Sequence, residues 1–284
     1  MTVVFPPLDG SITVLPGFLD FHAEHNRDRP FALFPSISGT GVTSVLFAEL
    51  AETTHMIAHI LRPNREGADG EVVGVLIHCD VLLYVATLLG IIRAGLVPLP
   101  ISPRNSSAAI ANLLEQTSAH RLISQASLSS LTKATQEELL IKGHPLFITP
   151  LPSLSEVFPN LFPQKTHHTP VVPYPNAKNP RTQDEVVLYL HSSGSTGFPR
   201  AIPQTGVNIL DWSNTLYAPL VTGFPIGLYT PQAPLSPVVP TPENVLEVSK
   251  KLGCNAIPAV PAFLEIWAQS EKDMEYLASQ SYVV

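Results

Sequence analysis

Apolar residues are densest from Val72 to Ile101, VVGVLIHCDVLLYVATLLGIIRAGLVPLPI, where two short runs flank a longer one. Val72–Ile77 is short and rich in Val and Ile, the pattern of a buried strand. Asp80 stands where a helix N-cap belongs, the helix it starts is predicted to reach about Arg93 with Gly95 as C-cap, and LVPLPI reads as a second strand. The three together predict a βαβ unit. The same stretch resembles a membrane span only superficially. His78, Asp80 and Arg93 interrupt it, and its longest clean run, Val81–Ile92, has 12 residues where a span needs about 20. A further helix over about Ser107–Gln116, followed by the apolar pair Leu122 and Ile123, continues the alternation. The expected class is α/β, with mostly parallel β-sheets flanked by helices.

Upstream, Leu46, Leu50, Ile57 and Leu61 recur at helical spacing and predict a helix capped by Thr43 that runs to about Leu61. His55 and His59 lie four apart on it, as zinc ligands on a helix do. Met56 occupies the position that H-E-x-x-H reserves for Glu, so both are read as surface histidines. His22/His25 and His167/His168 take the same reading, because no Cys or acidic partner accompanies them at ligand spacing. No metal-ligating residue is assigned.

From Gly143 to Arg181 the chain turns Pro-rich, and proline breaks both helices and central strands, so a long irregular connector is expected. It divides the chain into a first α/β lobe (1–142), the connector (143–182) and a part of a second lobe (183–284). In the second part, Val186–Leu190 reads as a strand, TGVNILDWSNTLYAPL as a helical candidate, and Pro231–Pro242 as another Pro-rich run. Thr241 is placed to cap a helix with Pro242 at its first position, ending before Gly253. CNAIPAV reads as a strand, PAFLEIWAQS as a helix with Phe263, Ile266 and Trp267 on its apolar face, and SYVV as the start of one more strand.

Charge narrows the function. Of 284 residues, 45% are hydrophobic and 14% charged, against a usual charged share of about 25%. The net charge of -7, with no Lys/Arg cluster, argues against nucleic acid as a partner, so any bound phosphate has to be held locally. Cys79 and Cys254 lie far apart in apolar surroundings, as reduced thiols of a cytosolic protein do. The amino terminus lacks the basic start and apolar centre of a secretory signal, and the expected location is the cytoplasm, with no membrane partner.

The chemistry concentrates in HSSGSTGFPR, His191–Arg200, directly behind the strand Val186–Leu190. Gly194 and Gly197 permit positive φ and close backbone approach, while Ser192, Ser193, Ser195 and Thr196 add hydroxyl donors, so successive N–H groups can form an anion nest. Arg200 adds a permanent cation able to take two phosphate oxygens at once. Three familiar loops fail on spacing. A Walker loop needs Lys and a hydroxyl after its second glycine, but Gly197 is followed by Phe198 and Pro199; G-x-G-x-x-G is absent; and Ser195 has Ser193, not glycine, two residues before it, which excludes a nucleophile elbow. Composition alone leaves an ordinary Ser/Gly turn open.

YLHSSGSTGFPR resembles, at every constrained position, the phosphate loop of the adenylate-forming superfamily, which includes acyl-CoA synthetases, luciferases and the adenylation domains of peptide synthetases. The family's final basic residue is more often Lys; here it is Arg200. Other stretches agree in order. TSVLFAELAETTHMIAHIL is similar to the family's early T-[FY]-x-E-L helix, with Val45 and Leu46 where an aromatic is usual, and VVGVLIHCDVLLYVATLLGIIRAGLVPLPISPRNS to its first sheet unit. NAIPAVPAFLEIWAQ is similar to the segment preceding its nucleotide-binding glycines, and ISPRNSSAAIANLL most resembles fungal adenylating reductases, in which a carrier domain and an NADPH-dependent reductase domain follow.

The resemblance implies that ATP and Mg²⁺ are the cofactors and a carboxylic acid the substrate. The acid attacks the α-phosphate to give an acyl-adenylate, with Ser192 to Gly197 holding the β- and γ-phosphates and Arg200 assisting. It also implies the N-terminal region of the acyl-CoA synthetase-like fold, with the small C-terminal domain and its catalytic Lys beyond Val284. Departures from the family pattern accompany it. The P-x-x-H-x-x-G motif that helps form the acid pocket has no counterpart, as though roughly 30 residues were omitted near Asn214, and Gly206 stands where His is common. Two readings follow: part of an acid-activating enzyme, or a noncatalytic form that at most binds nucleotide or a protein partner. The second carries an expectation of marginal stability, with the apolar faces of Trp267 and Tyr282 left in water.

Overall fold

Short β-branched runs alternating with amphipathic helices give the first half of the chain its form. The computed structural model describes residues 2–36, 39–162, 171–179, 181–193, 197–206 and 218–283. A helix, α1 (Leu15–His25), leads into strand β1 (Pro30–Pro35), which pairs antiparallel with β2 (Val42–Leu46) before α2 (Phe47–Leu61). The parallel unit then follows as expected: β3 (Val72–Leu76), α3 (Val81–Arg93), β4 (Val97–Pro100), α4 (Ser107–Gln116) and β5 (Arg121–Ser124). After α5 (Ser129–Ile141), β6 (Phe147–Pro150) completes a four-stranded sheet in the order β4-β3-β5-β6, every pair parallel. The architecture is therefore the α/β class the pattern predicts.

Three local expectations are corrected. Thr43 does not cap α2, because Val42–Leu46 extends as a strand against β1 and the helix begins at Phe47, where Glu49 reaches back to the Leu46 N–H at 2.8 Å. Asp80 precedes α3 but makes no capping bond; its two carboxylate oxygens accept from the N–H groups of Gln232 at 2.9 Å and Ala233 at 3.1 Å, in the second Pro-rich run. The stretch after Gly143 is not wholly irregular, since β6 and a one-turn helix, α6 (Leu154–Val157), lie in it.

Beyond the connector, β7 (Val186–His191) and β8 (Ala201–Thr205) form an antiparallel hairpin, and β7 packs beside β4, the edge of the parallel sheet. The helical candidate Thr205–Leu220 falls largely on residues 207–217, outside the described residues, with α7 (Ala218–Thr222) at its far end. β9 (Ile226–Gly227) adds to β1, and Thr241 caps α8 (Pro242–Leu252) through Asn244 N–H, with Gly253 at φ 64° closing it as predicted. The last elements are β10 (Ala256–Ile257), α9 (Pro261–Trp267), α10 (Glu271–Ala278) and β11 (Tyr282–Val283), with β10 and β11 parallel.

The main core gathers α1, α2, α3 and the first strands around Phe18, Phe34, Phe47, Ile57 and Leu89, all essentially buried. Gly90 sets how closely α2 and α3 pack: a Cβ there would stand 2.5 Å from Ile57 Cγ2. A second cluster lies between the sheet, α4 and α5, and a small third one holds Leu246, Ile257, Trp267 and Leu277. Trp267 is 1% exposed and its indole N–H donates to Pro242 O at 3.0 Å, so the expectation that its face lies open is wrong. Ile266 and Tyr282 are exposed, at 48% and 69%.

Of the histidines read as surface residues, His22, His55 and His59 turn out to be fasteners, His25 is exposed as read, and His167 and His168 lie outside the described residues. His55 Nδ1 accepts from Tyr174 N–H at 2.9 Å and His59 Nε2 donates to Val172 O at 3.0 Å, so α2 holds the connector with both. Tyr174 itself donates its hydroxyl to Arg62 O at 2.7 Å. Arg62, Arg65 and Arg181 then cover the carbonyl end of α3, donating to Ala94 O, Arg93 O and Gly95 O, where cations suit the helix dipole. His22, fully buried, donates from Nε2 to Leu220 O at 2.9 Å and accepts at Nδ1 from Asn26, tying α1 to α7.

Burial, reinforced by the charge of Arg93, pushes the His55 imidazolium down from 6.5 to about 4. Below 6.5 the unfolded chain therefore takes up a proton that the folded chain refuses, so stability is complete above that value and falls as pH drops towards 4. The loss attributable to His55 is about 2 kcal/mol once partial solvation is allowed for. Burial lowers His22 too and acts in the same direction. Denaturant melts at pH 7 and pH 4.5 are expected to show the fall in the wild type and a flatter response in His55→Gln.

Candidate functional site

The candidate loop joins β7 to β8, and the hairpin pairing His191 with Ala201 brings its two ends together. Val187 and Leu188 are buried against the first lobe, which anchors the strand that presents the loop. At the loop's neck Ser192 N–H donates to Arg200 O at 3.0 Å, and Arg200 N–H donates to Ser192 Oγ at 2.9 Å. The first hydroxyl and the cation predicted from sequence are thus neighbours. The hydroxyl oxygen of Ser192 closes the loop while its proton stays free to donate. Ser193, Gly197 and Arg200 are exposed. Gly197 has φ 151°, a value that side-chain-bearing residues rarely adopt, and nothing stands within 4 Å of where its Cβ would be. Gly194, Ser195 and Thr196 lie outside the described residues. Among the described residues the Arg200 guanidinium has no acidic partner.

Four hydrogen bonds at the ends of this loop, two by His191 and two by Gln116, were not legible in the sequence. His191 Nδ1 donates to Ser192 O at 2.8 Å, and its Nε2 accepts from Ser102 N–H at 3.3 Å, an arrangement that a neutral ring satisfies. At the other end Gln116 donates from Nε2 to Pro199 O at 3.1 Å and accepts at Oε1 from Ala201 N–H at 3.0 Å. In the Ser102 loop, Asn105 Nδ2 is buried without a hydrogen-bond partner. Periodicity finds α4 and β7 but says nothing of which side chains meet across them.

Gly206 follows β8 and has a steric cause. A Cβ there would meet Thr13 O at 2.8 Å and Gln183 O at 3.1 Å, both backbone atoms, so a histidine at this position would require the chain to move.

The remaining chemistry is sparse. Burial, then Asp80, pushes the Cys79 thiol up to about 12, and burial raises Cys254, so neither supplies a thiolate at neutral pH. Among the described residues no three His, Cys, Asp or Glu side chains gather as a metal site, and no helix is long and apolar enough to cross a membrane. Two cavities, of about 650 and 570 Å³, lie against α2 and the connector and beside the Arg62–Asp69 ion pair; of the loop, the described residues 192, 193 and 197–200 line neither.

The α/β fold that carries this loop recurs in known proteins. The solved structures that this chain resembles include the N-terminal domain of FACL13 from Mycobacterium tuberculosis (TM-score 0.71, 16% identity, covering 96% of this chain and 69% of that one). They also include the N-terminal subdomain of NpsA from Klebsiella oxytoca in complex with 3-hydroxybenzoyl-AMSN (TM-score 0.65, 17% identity, 96% and 66%). Among curated proteins it is 38% identical over 319 residues to adenylate-forming reductase Nps11 of Serpula lacrymans var. lacrymans, and 37% identical over 316 residues to Nps9 of the same fungus. In both, 99% of this chain is matched, and the chain spans 29% and 28% of the relatives' own length. The AMP-binding enzyme family matches residues 19–211, a stretch that holds the parallel sheet, the β7–β8 hairpin and the whole His191–Arg200 motif. On that match, and on the fold that carries it, the chain belongs to the AMP-binding enzyme family.

Proposed function

We propose that this chain binds ATP through the β7–β8 loop as the phosphate-gripping part of a protein that activates a carboxylic acid as its acyl-adenylate. The observation that carries the reading is the neck geometry, Ser192 bonded to Arg200 through both backbone and hydroxyl, which brings to the two ends of the loop a hydroxyl and a cation that has no acidic partner among the described residues. In the reaction a carboxylate oxygen forms a bond to the α-phosphorus, and the bond to the β-phosphate bridging oxygen breaks as pyrophosphate leaves. Preorganised donors stabilise the charge that grows on the leaving group. The loop's hydroxyls, amides and guanidinium suit phosphate oxygens, and among the described residues no carboxylate cluster suits a bare cation, so Mg²⁺ is expected to arrive on the nucleotide. It supplies further neutralisation of the departing charge. With both thiols held protonated, the thiol that accepts the acyl group is assigned to a carrier domain, with a reductase domain beyond it, as the names of the fungal relatives suggest.

A second reading has its own support. The alignments to Nps11 and Nps9 extend over more positions than the 284 residues of this chain, so the relatives carry internal sequence that it lacks, in keeping with an omission near Asn214. The noncatalytic reading is that the chain at most binds nucleotide or a protein partner, without activating an acid. ATP–pyrophosphate exchange over a panel of aliphatic and aromatic acids separates the two. Acid-dependent exchange supports activation, ATP binding without exchange on any acid supports the second reading, and absence of ATP binding overturns the first and leaves the second with a protein partner alone.

A further inference from the structure

The two ends of the loop are held from outside the hairpin, by the β4–α4 segment of the first lobe. At the trailing end, Gln116, the last residue of α4, lies alongside the start of β8 and treats it as a neighbouring strand would. Its carboxamide donates to Pro199 O and accepts from Ala201 N–H, two residues on, which is the pairing a backbone peptide group makes in a parallel ladder. Asn112, one turn back on α4, accepts from the same Nε2 and fixes which way the carboxamide faces. At the leading end, the His191 ring spans Ser102 N–H and Ser192 O, so the residue that closes the loop's neck is itself tied to the turn after β4.

We infer that Gln116 and His191 are positioning residues that clamp the two ends of the phosphate loop onto the first lobe. The clamp is a property of the unliganded chain, while its consequence for ATP rests on the function proposed above. Without it the loop's ends are held only by the hairpin, which is anchored further back at Val187 and Leu188, and ordering the loop falls to the ligand, which then binds more weakly.

The test reads the clamp with and without nucleotide. Trypsin cuts after Arg200, at the Arg200–Ala201 bond beside which Gln116 sits. Gln116→Ala and His191→Ala are each expected to speed that cut about fivefold while other sites are unchanged, and Gln116→Glu, which keeps the acceptor and loses the donor, is expected to fall between wild type and Gln116→Ala. ATP affinity is expected to fall about fivefold in Gln116→Ala while adenosine affinity holds, a selective change that general destabilisation does not produce. Cleavage after Arg200 at the wild-type rate in all three variants overturns the clamp, and faster cleavage with unchanged ATP affinity overturns its role in positioning phosphate. If wild type itself binds no ATP, the proposed function falls and the cleavage rates alone decide the clamp.

Discussion

Arg200→Ala is expected to weaken ATP binding by about 10- to 100-fold and to leave adenosine binding unchanged, the loss corresponding to one charge-assisted phosphate contact of about 1.5–3 kcal/mol. The side chain is exposed and, among the described residues, has no acidic partner, while its backbone is fixed at both N–H and C=O by Ser192. Removing it therefore deletes a cation without disturbing the neck. Arg200→Lys, which restores the family's commoner residue, keeps the charge and loses the two-pronged grip, so its effect is expected to be only a few-fold. Calorimetric titration of each variant with ATP and adenosine checks the ranking; equal losses for both ligands would point to misfolding in place of a lost phosphate contact.

The largest expected effect on stability is at Asp80. It is 7% exposed, and both carboxylate oxygens accept backbone N–H groups from residues 152 and 153 positions away, at Gln232 and Ala233. Asp80→Ala leaves two N–H groups unsatisfied and is expected to cost about 3 kcal/mol, whereas Asp80→Asn keeps one acceptor and is expected to cost about half of that. Chemical denaturation gives both values directly. A loss below about 1 kcal/mol for Asp80→Ala would mean that water replaces the carboxylate, and that the second Pro-rich run is held by other contacts.

These effects involve two kinds of feature, and the sequence discloses only one of them. Periodicity finds β3, α3, β4, α4 and β5, and the Thr241-Pro242…Gly253 pattern finds α8 at both ends, because each signal is local. It fails at Thr43, where a five-residue strand runs directly into a helix: Thr is both a capping residue and a good strand former, and Leu46 fits either period. β6 hides between Pro145 and Pro150, since an edge strand tolerates proline at its margin where a central one does not.

At the site, the residue types and spacing of the Ser192–Arg200 loop point to an anion, and the family resemblance supplies which one. His191, Gln116 and the Asp80 bridge escape notice because their partners across the fold lie 83 to 153 positions away along the chain, and no local pattern encodes that. The histidine pair on α2 shows the reverse error. Four-residue spacing invites a metal, the missing Glu removes it, and the connector that both rings hold is invisible until the chain folds.

The central claim is that this chain grips the phosphates of ATP through the β7–β8 loop. Its most direct test is to titrate the wild-type chain with ATP, AMP and adenosine in the presence of Mg²⁺. ATP binding tighter than AMP and adenosine by at least about tenfold, with that preference lost in Arg200→Ala, is the predicted result. Equal affinity for the three ligands, or an ATP preference that survives the loss of Arg200 intact, would contradict it.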